Sequence, residues 1–266
     1  MESLSSATSE APERARPRVI DVGGLREWLR AAPVAGGTDP LWPSWTNPGK
    51  PGFPYEEATA WVLRCSRRGL GLNARSVAAA RDELGRRIEA SGGLRAHGRL
   101  FAFDTAVALS AFGAATSTGR SLVSTVVGFV RSRRAVEGGP VLGEERPDTR
   151  WSEAFGAHLL WLNRPLREAG EHALADDLTS LVLPRVLRHD GLLRIHGASD
   201  RVYSHAMAYA LDGLVAAGAE GRALAKRGLV AMLDRFDGRS PLAAFVDEPS
   251  PRRADVTAQC AALARQ

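Results

Sequence analysis

Five apolar segments recur about fifty residues apart, and this recurrence restricts the possible folds more than any single motif does. They are PYEEATAWVLRC (54–65), FAFDTAVALSAF (101–112), RWSEAFGAHLLWL (150–162), VYSHAMAYALDGL (202–214) and RADVTAQCAALA (253–264). Each follows a Gly- or Pro-rich approach and carries a polar residue near its start. These markers are Glu57, Asp104, Glu153, His205 and Asp255, separated by 47, 49, 52 and 50 residues. A repeat of that length accommodates two helices and a loop. Between the apolar segments lie amphipathic stretches at 74–90, 119–136, 171–188 and 220–236, with apolar residues every three or four positions and charges opposite. Pro184 falls inside the third and predicts a kink.

The alternation predicts an all-α fold, an α/α toroid of about five to six helical hairpins in a single domain. Buried helices ring an axis and amphipathic helices wrap them. Residues 19–32 supply the first outer helix, and residues 19–266 the domain. Residues 1–18 read as a solvated tail poor in core-forming side chains. Gly-containing turns at 91–98, 189–197 and 236–245 precede three inner segments and predict short β-like ribbons at one rim. With five hairpins the ring stays open unless the 33–54 loop or a partner chain, a second copy or another subunit, covers the gap.

Inner helices of a toroid run in one direction, so the five markers are expected at one mouth. Each is also a plain N-terminal residue favoured by the helix dipole, but five equivalent positions favour a pocket over a helical-repeat scaffold. His205 and Tyr209 share one helix face, with Ser204 expected as the cap. The dipole lowers the pKa of His205 and nearby carboxylates raise it, which predicts a group poised near neutrality. Tyr209 donates a hydrogen bond. Asp104 or Asp255 serves as base, or holds a substrate hydroxyl or ammonium. Arg194 and His196, in the preceding turn, bind an anion beside His205, with a rim ion pair as the plainer role of Arg194. Trp42 and Trp45 either stack on a sugar at the mouth or cap the core.

At FPYEEATAWVL, FAFDTAVAL, VYSHAMAYALDGL and DVTAQ the chain resembles bacterial α/α-toroid proteins of the terpenoid-cyclase/prenyltransferase-like superfamily, related in shape to six-hairpin glycosidases. The resemblance runs over residues 50–265 and implies the fold rather than a reaction, since such folds host unrelated chemistries. The acid-rich run of protonation-initiated terpene cyclases is missing, FAFDTA offering one Asp, and aromatics are 6% of residues. No His/Cys/Asp spacing matches the zinc site of protein prenyltransferases, so no metal and no cofactor are expected. Neither a phosphate loop nor a nucleophile elbow is present.

The formal charge of +5 rests on arginine, Lys50 and Lys226 being the sole lysines. The clusters Arg131/Arg133/Arg134 and Arg252/Arg253 lack interleaved aromatics, which argues against nucleic acid. No segment reads as a membrane span or signal core. Cys65 and Cys260 lie in apolar stretches and read as buried free thiols in a reducing cytoplasm. The sequence therefore predicts a cytoplasmic enzyme of specialised metabolism. It would perform a metal-independent elimination or intramolecular cyclisation on a small anionic or polar metabolite, with His205 and an arginine stabilising a departing anion. The alternatives are a carbohydrate-active hydrolase, lyase or epimerase that pairs Asp104 with Glu57 or Asp255, and a non-catalytic subunit completing another chain's ring.

Overall fold

The computed structural model describes Glu27 and residues 40–42, 55–67, 69, 71–96, 99–132, 142–143, 151–236 and 240–266. The expected tail, nearly all of the expected first outer helix, Trp45, Arg133 and Arg134 lie outside them. The described residues are mostly helical. They begin with α1 (Glu56–Ser66), α2 (Ala74–Ser91), α3 (Ala102–Phe112) and α4 (Ser117–Ser132). A 3-10 helix (Ala157–Leu162) then leads into α5 (Asn163–Glu168), followed by α6 (His172–Val186), α7 (Ser204–Ala216), α8 (Gly218–Leu233) and α9 (Ala254–Leu263).

Burial separates the helices into two kinds. Every residue of α3 is buried, as are Ser204, Ala206 to Leu211, Gly213 and Leu214 of α7. A helix apolar on all sides must sit inside. α2 instead buries one stripe, Ala80, Leu84, Gly85 and Ile88, and α8 buries Gly221, Ala225, Gly228 and Met232. The apolar segments contact one another in sequence: α1 with α3, α3 with the 3-10 helix, the 3-10 helix with α7, and α7 with α9. Contrary to expectation, α9 is itself a striped helix that buries Val256, Cys260 and Leu263 and exposes Asp255, Ala258, Ala261 and Ala262. Among the striped helices α2 meets α4, and α4 meets α6.

Local chemistry explains the boundaries. Asn73 caps α2 by accepting from the Arg75 and Ser76 amides at 2.9 and 3.3 Å. Gly92, left-handed at φ 76° and ψ 3°, ends α2, and Gly113, at φ 77° and ψ 143°, ends α3 in a conformation that favours glycine. Pro184 sits in the last turn of α6, two residues before its end at Val186. Ser204 does not cap α7. The cap position is Tyr203, and the Ser204 hydroxyl donates to the Ala244 carbonyl at 3.1 Å.

The third apolar segment departs from expectation. Residues 151–156 form turns rather than helix, so Glu153 is not at a helix start. The extended backbone of Gly156 lies against residue 195, where an added Cβ would stand 1.8 Å from the Ile195 carbonyl oxygen. That close docking holds the chain out of a helix until Ala157.

Short ribbons precede α3 and α9. β1 (Arg95–Ala96) pairs antiparallel with β2 (Arg99–Leu100), and β3 (Leu242–Ala243) with β4 (Arg252–Arg253). Single bridges join Leu187 to Leu193 and Tyr203 to Phe245. Trp42 is 1% exposed and belongs to the core, its amide donating to Thr59 Oγ1 at 2.8 Å. Its burial removes the sugar-stacking role and leaves the capping one. Cys260 is buried, but Cys65 is exposed at the end of α1, contrary to expectation. No helix among the described residues is long and apolar enough to cross a membrane.

A tight interhelical approach lies at Gly213 of α7, where an added Cβ would meet the Leu160 carbonyl oxygen at 2.0 Å and the Trp161 Cα at 2.6 Å. Both are backbone atoms and cannot rotate aside. Gly213→Ala is expected to lose about 1–3 kcal/mol despite its gain in helix propensity. Gly128→Ala in α4, with nothing within 4 Å of the new methyl, is expected to hold or gain up to about 1 kcal/mol. Urea unfolding of the two variants checks both.

Candidate active site

The starts of α7 and α9 bring His205 and Asp255 together. Asp255 Oδ2 stands 3.5 Å from His205 Nδ1. The carboxylate is gripped from its other side by Arg253, whose Nε donates to Oδ1 at 2.9 Å and whose Nη2 donates to Oδ2 at 2.5 Å. Arg253 Nη1 also donates to the Tyr203 hydroxyl at 2.8 Å. Hydrogen bonding to Arg253 holds the Asp255 carboxyl below its ordinary range, so it is ionised at neutral pH.

Beneath this group the buried elements supply one aromatic cluster. The Tyr209 ring stacks near Trp61 of α1 at 5.5 Å and near Trp151 at 6.0 Å, and meets Phe103 of α3 edge-on at 5.1 Å. Trp161, from the 3-10 helix, meets Trp61 at 5.2 Å. The Arg64 guanidinium lies 5.3 Å from both the Trp61 and Trp161 rings. His205 touches Tyr209 at 4.7 Å and Trp151 at 5.3 Å. The low aromatic fraction of the chain thus hides a local concentration.

Protonation states follow from burial. Burial pulls the His205 pKa down to about 4, outweighing the neighbouring Asp255. The expectation of a histidine poised near neutrality is therefore corrected: the imidazole is neutral at pH 7. Tyr209 is pushed well above 10, first by burial and then by the Glu57 and Asp255 carboxylates, so it keeps its proton. Glu57 lies in the first turn of α1 at 7% exposure and accepts a hydrogen bond from the Tyr55 hydroxyl. Gln259, one turn after Asp255, interacts with both His205 and Tyr209.

The other expected residues are spread more widely. Asp104 is buried in the first turn of α3, beside Phe103. Glu153 is half-buried in the turn before the 3-10 helix. Arg194 forms an ion pair with Asp200 at 3.0 Å, and Asp200 is almost fully exposed; this is the rim pairing. His196 is buried against a separate cleft of about 370 Å³ that it shares with Phe155, Arg185, Gly197 and Ala198. Sequence reasoning missed Arg253, Gln259, Trp61 and Trp151. Trp61 and Gln259 carried a signal, each lying four residues after a marker, as Tyr209 does. Among the described residues no group of three or more His, Cys, Asp or Glu side chains is placed to hold a metal ion.

His158 makes the stability of the fold depend on pH. It is fully buried, edge-on to Phe103 at 5.2 Å and Trp151 at 5.4 Å. Desolvation pulls its pKa from 6.5 to about 3, against a small upward pull from the Ser152 backbone. The unfolded chain binds this proton near pH 6.5 and the native state near pH 3. The titration therefore costs nothing above pH 6.5 and destabilises the fold increasingly as pH falls towards 3, by at most about 1.4 kcal/mol per pH unit. His158→Phe keeps the ring contacts without titrating. Its unfolding free energy between pH 6.5 and 4 is expected to fall less steeply than that of the wild type, by about that amount per unit.

No protein-family model matches this chain, and no curated protein matches it in sequence.

Proposed function

We propose that the helical hairpins close around a common axis as an α/α toroid of the terpenoid-cyclase-like kind, and that the mouth beside His205 is an enzyme active site. The reaction is acid–base chemistry on a small polar metabolite, an elimination or an intramolecular cyclisation. One observation carries the reading: His205 and Asp255, at equivalent positions of two repeats, meet at 3.5 Å over a tyrosine whose hydroxyl is also influenced by Glu57 of a third. Convergence of repeat-equivalent polar groups is what a shared interior site requires.

The roles differ from those the sequence led us to expect. A neutral imidazole does not stabilise a departing anion by charge. It accepts a proton, so His205 is the base. Asp255, ionised and held by Arg253, orients it. Tyr209, which keeps its proton, donates a hydrogen bond to the charge that develops. The only arginine seated with His205 among the described residues is Arg253, and its guanidinium is engaged by Asp255 and Tyr203. This favours a neutral polar substrate over an anionic one.

A carbohydrate-active enzyme is the second reading. The half-buried Trp151 stands 5.3 Å from the His205 ring, a wall suited to the face of a sugar, and Glu57 and Asp255 supply two carboxylates.

A thermal-shift panel tests both, using mono- and disaccharides, polyols, amino acids, and small phosphate and sulfate esters. Binding of an uncharged polar compound, lost in His205→Ala and Tyr209→Phe while the unliganded melting temperatures stay within a few degrees, supports the acid–base reading. Selective binding of sugars that is lost in Trp151→Ala favours the second. Binding that survives all three substitutions, or no binding across the panel, overturns an active site at this mouth.

A further inference from the structure

We infer that Asp255, positioned by Arg253, biases His205 by charge towards the Nδ1–H tautomer, leaving Nε2 as a hydrogen-bond acceptor, so that the substrate group meeting it is a donor, a hydroxyl or an amine. The inference rests on the reading of this mouth as an acid–base site and adds to it the polarity of the group recognised. Arg253 is thereby a positioning residue.

The geometry favours one tautomer. A carboxylate only accepts hydrogen bonds, and Asp255 Oδ2 lies 3.5 Å from Nδ1. The opposite tautomer would aim a buried lone pair at a carboxylate oxygen, with two acceptors facing each other away from water. Nδ1 is inaccessible to solvent and makes no hydrogen bond, so the carboxylate acts on it through charge across 3.5 Å. The 13% of the His205 side chain that remains exposed therefore belongs to its other atoms.

Asp255 is not free to swing away. Both of its oxygens receive hydrogen bonds from Arg253, and Arg253 is fixed in turn by the Tyr203 hydroxyl, by pairing of β4 with β3, and by the Thr257 hydroxyl donating to its carbonyl at 3.0 Å. The arrangement is a cation, a carboxylate and an imidazole in series. In such a series the carboxylate selects the tautomer and the far nitrogen does the work.

The test is a long-range proton–nitrogen correlation spectrum of the full-length protein labelled with 15N-histidine, at pH 7. One of the six histidines, identified by its loss in His205→Gln, is expected to show a pyrrole-like Nδ1 and a pyridine-like Nε2. In Asp255→Asn and Arg253→Ala that resonance pair is expected to move towards the opposite tautomer, and in Arg253→Lys to return part of the way. A wild-type spectrum with the proton on Nε2 overturns the inference, even if every variant fails to fold. An unchanged Nδ1–H signal in folded Asp255→Asn overturns the positioning role. Turnover does not enter this measurement, so failure of the enzyme reading and failure of the tautomer assignment are separable.

Discussion

The structure depends on the aromatic contact between Trp61, Phe103, Trp161 and Tyr209. These rings come from α1, α3, the 3-10 helix and α7, four elements spread over about 150 residues of chain. Each edge-on or stacked pair adds about 0.5–1.5 kcal/mol beyond the area it buries, and five of the six pairs among the four rings are in contact, Tyr209 and Trp161 each touching the other three. Nothing local in the sequence would bring Trp61 of α1 against Tyr209 of α7. The cluster does so, and the groups above Tyr209 inherit their positions from it. Arg64, placed over two of the tryptophans, adds a cation to the electron-rich ring faces.

The same packing sets the protonation states of the groups around Tyr209. A site roofed over an aromatic floor excludes water, and exclusion of water disfavours every charged form that lacks a partner. His205 and Tyr209 respond in the expected opposite directions, the histidine becoming a weaker base and the tyrosine a weaker acid. Asp255 escapes because Arg253 pairs with it. One ionised carboxylate beside two neutral groups is therefore the resting state at pH 7.

Much of this was legible in the sequence, and the failures have identifiable causes. The all-helical class and the division into buried and striped helices followed from periodicity, because α3 is apolar on every side while α2 is not. His205 and Asp255 were found because polar residues stand out at the start of apolar helices. Tyr209 follows His205 by four residues, Trp61 follows Glu57 by four, and Gln259 follows Asp255 by four. One turn of helix thus places a second side chain beneath each marker. The rule was read for one helix and applied to no other. Arg253 was hidden as half of a basic pair, since nothing in a sequence reveals which charge a strand turns towards its neighbour. The 150–162 segment misled because an apolar run fits a 3-10 helix as well as an α-helix, and the docking of Gly156 on Ile195 is a long-range constraint.

The separation between His205 and Asp255 is imposed by backbone pairing rather than by mutual attraction. Asp255 is about half exposed, and a pair of that kind contributes about 0–1 kcal/mol. The segment from 242 to 253 ties the two helix starts together far more firmly. The Ser204 amide donates to Ala244 O at 2.9 Å and the Val246 amide to Val202 O at 3.0 Å, on the α7 side. β3 pairs with β4 at the entry to α9, and the Leu242 amide donates to Thr257 Oγ1 at 2.9 Å. Each backbone hydrogen bond contributes about 0.5–1.5 kcal/mol, and together they fix where α7 and α9 begin. The histidine and the aspartate are thus held in register by a scaffold that does not depend on their interaction.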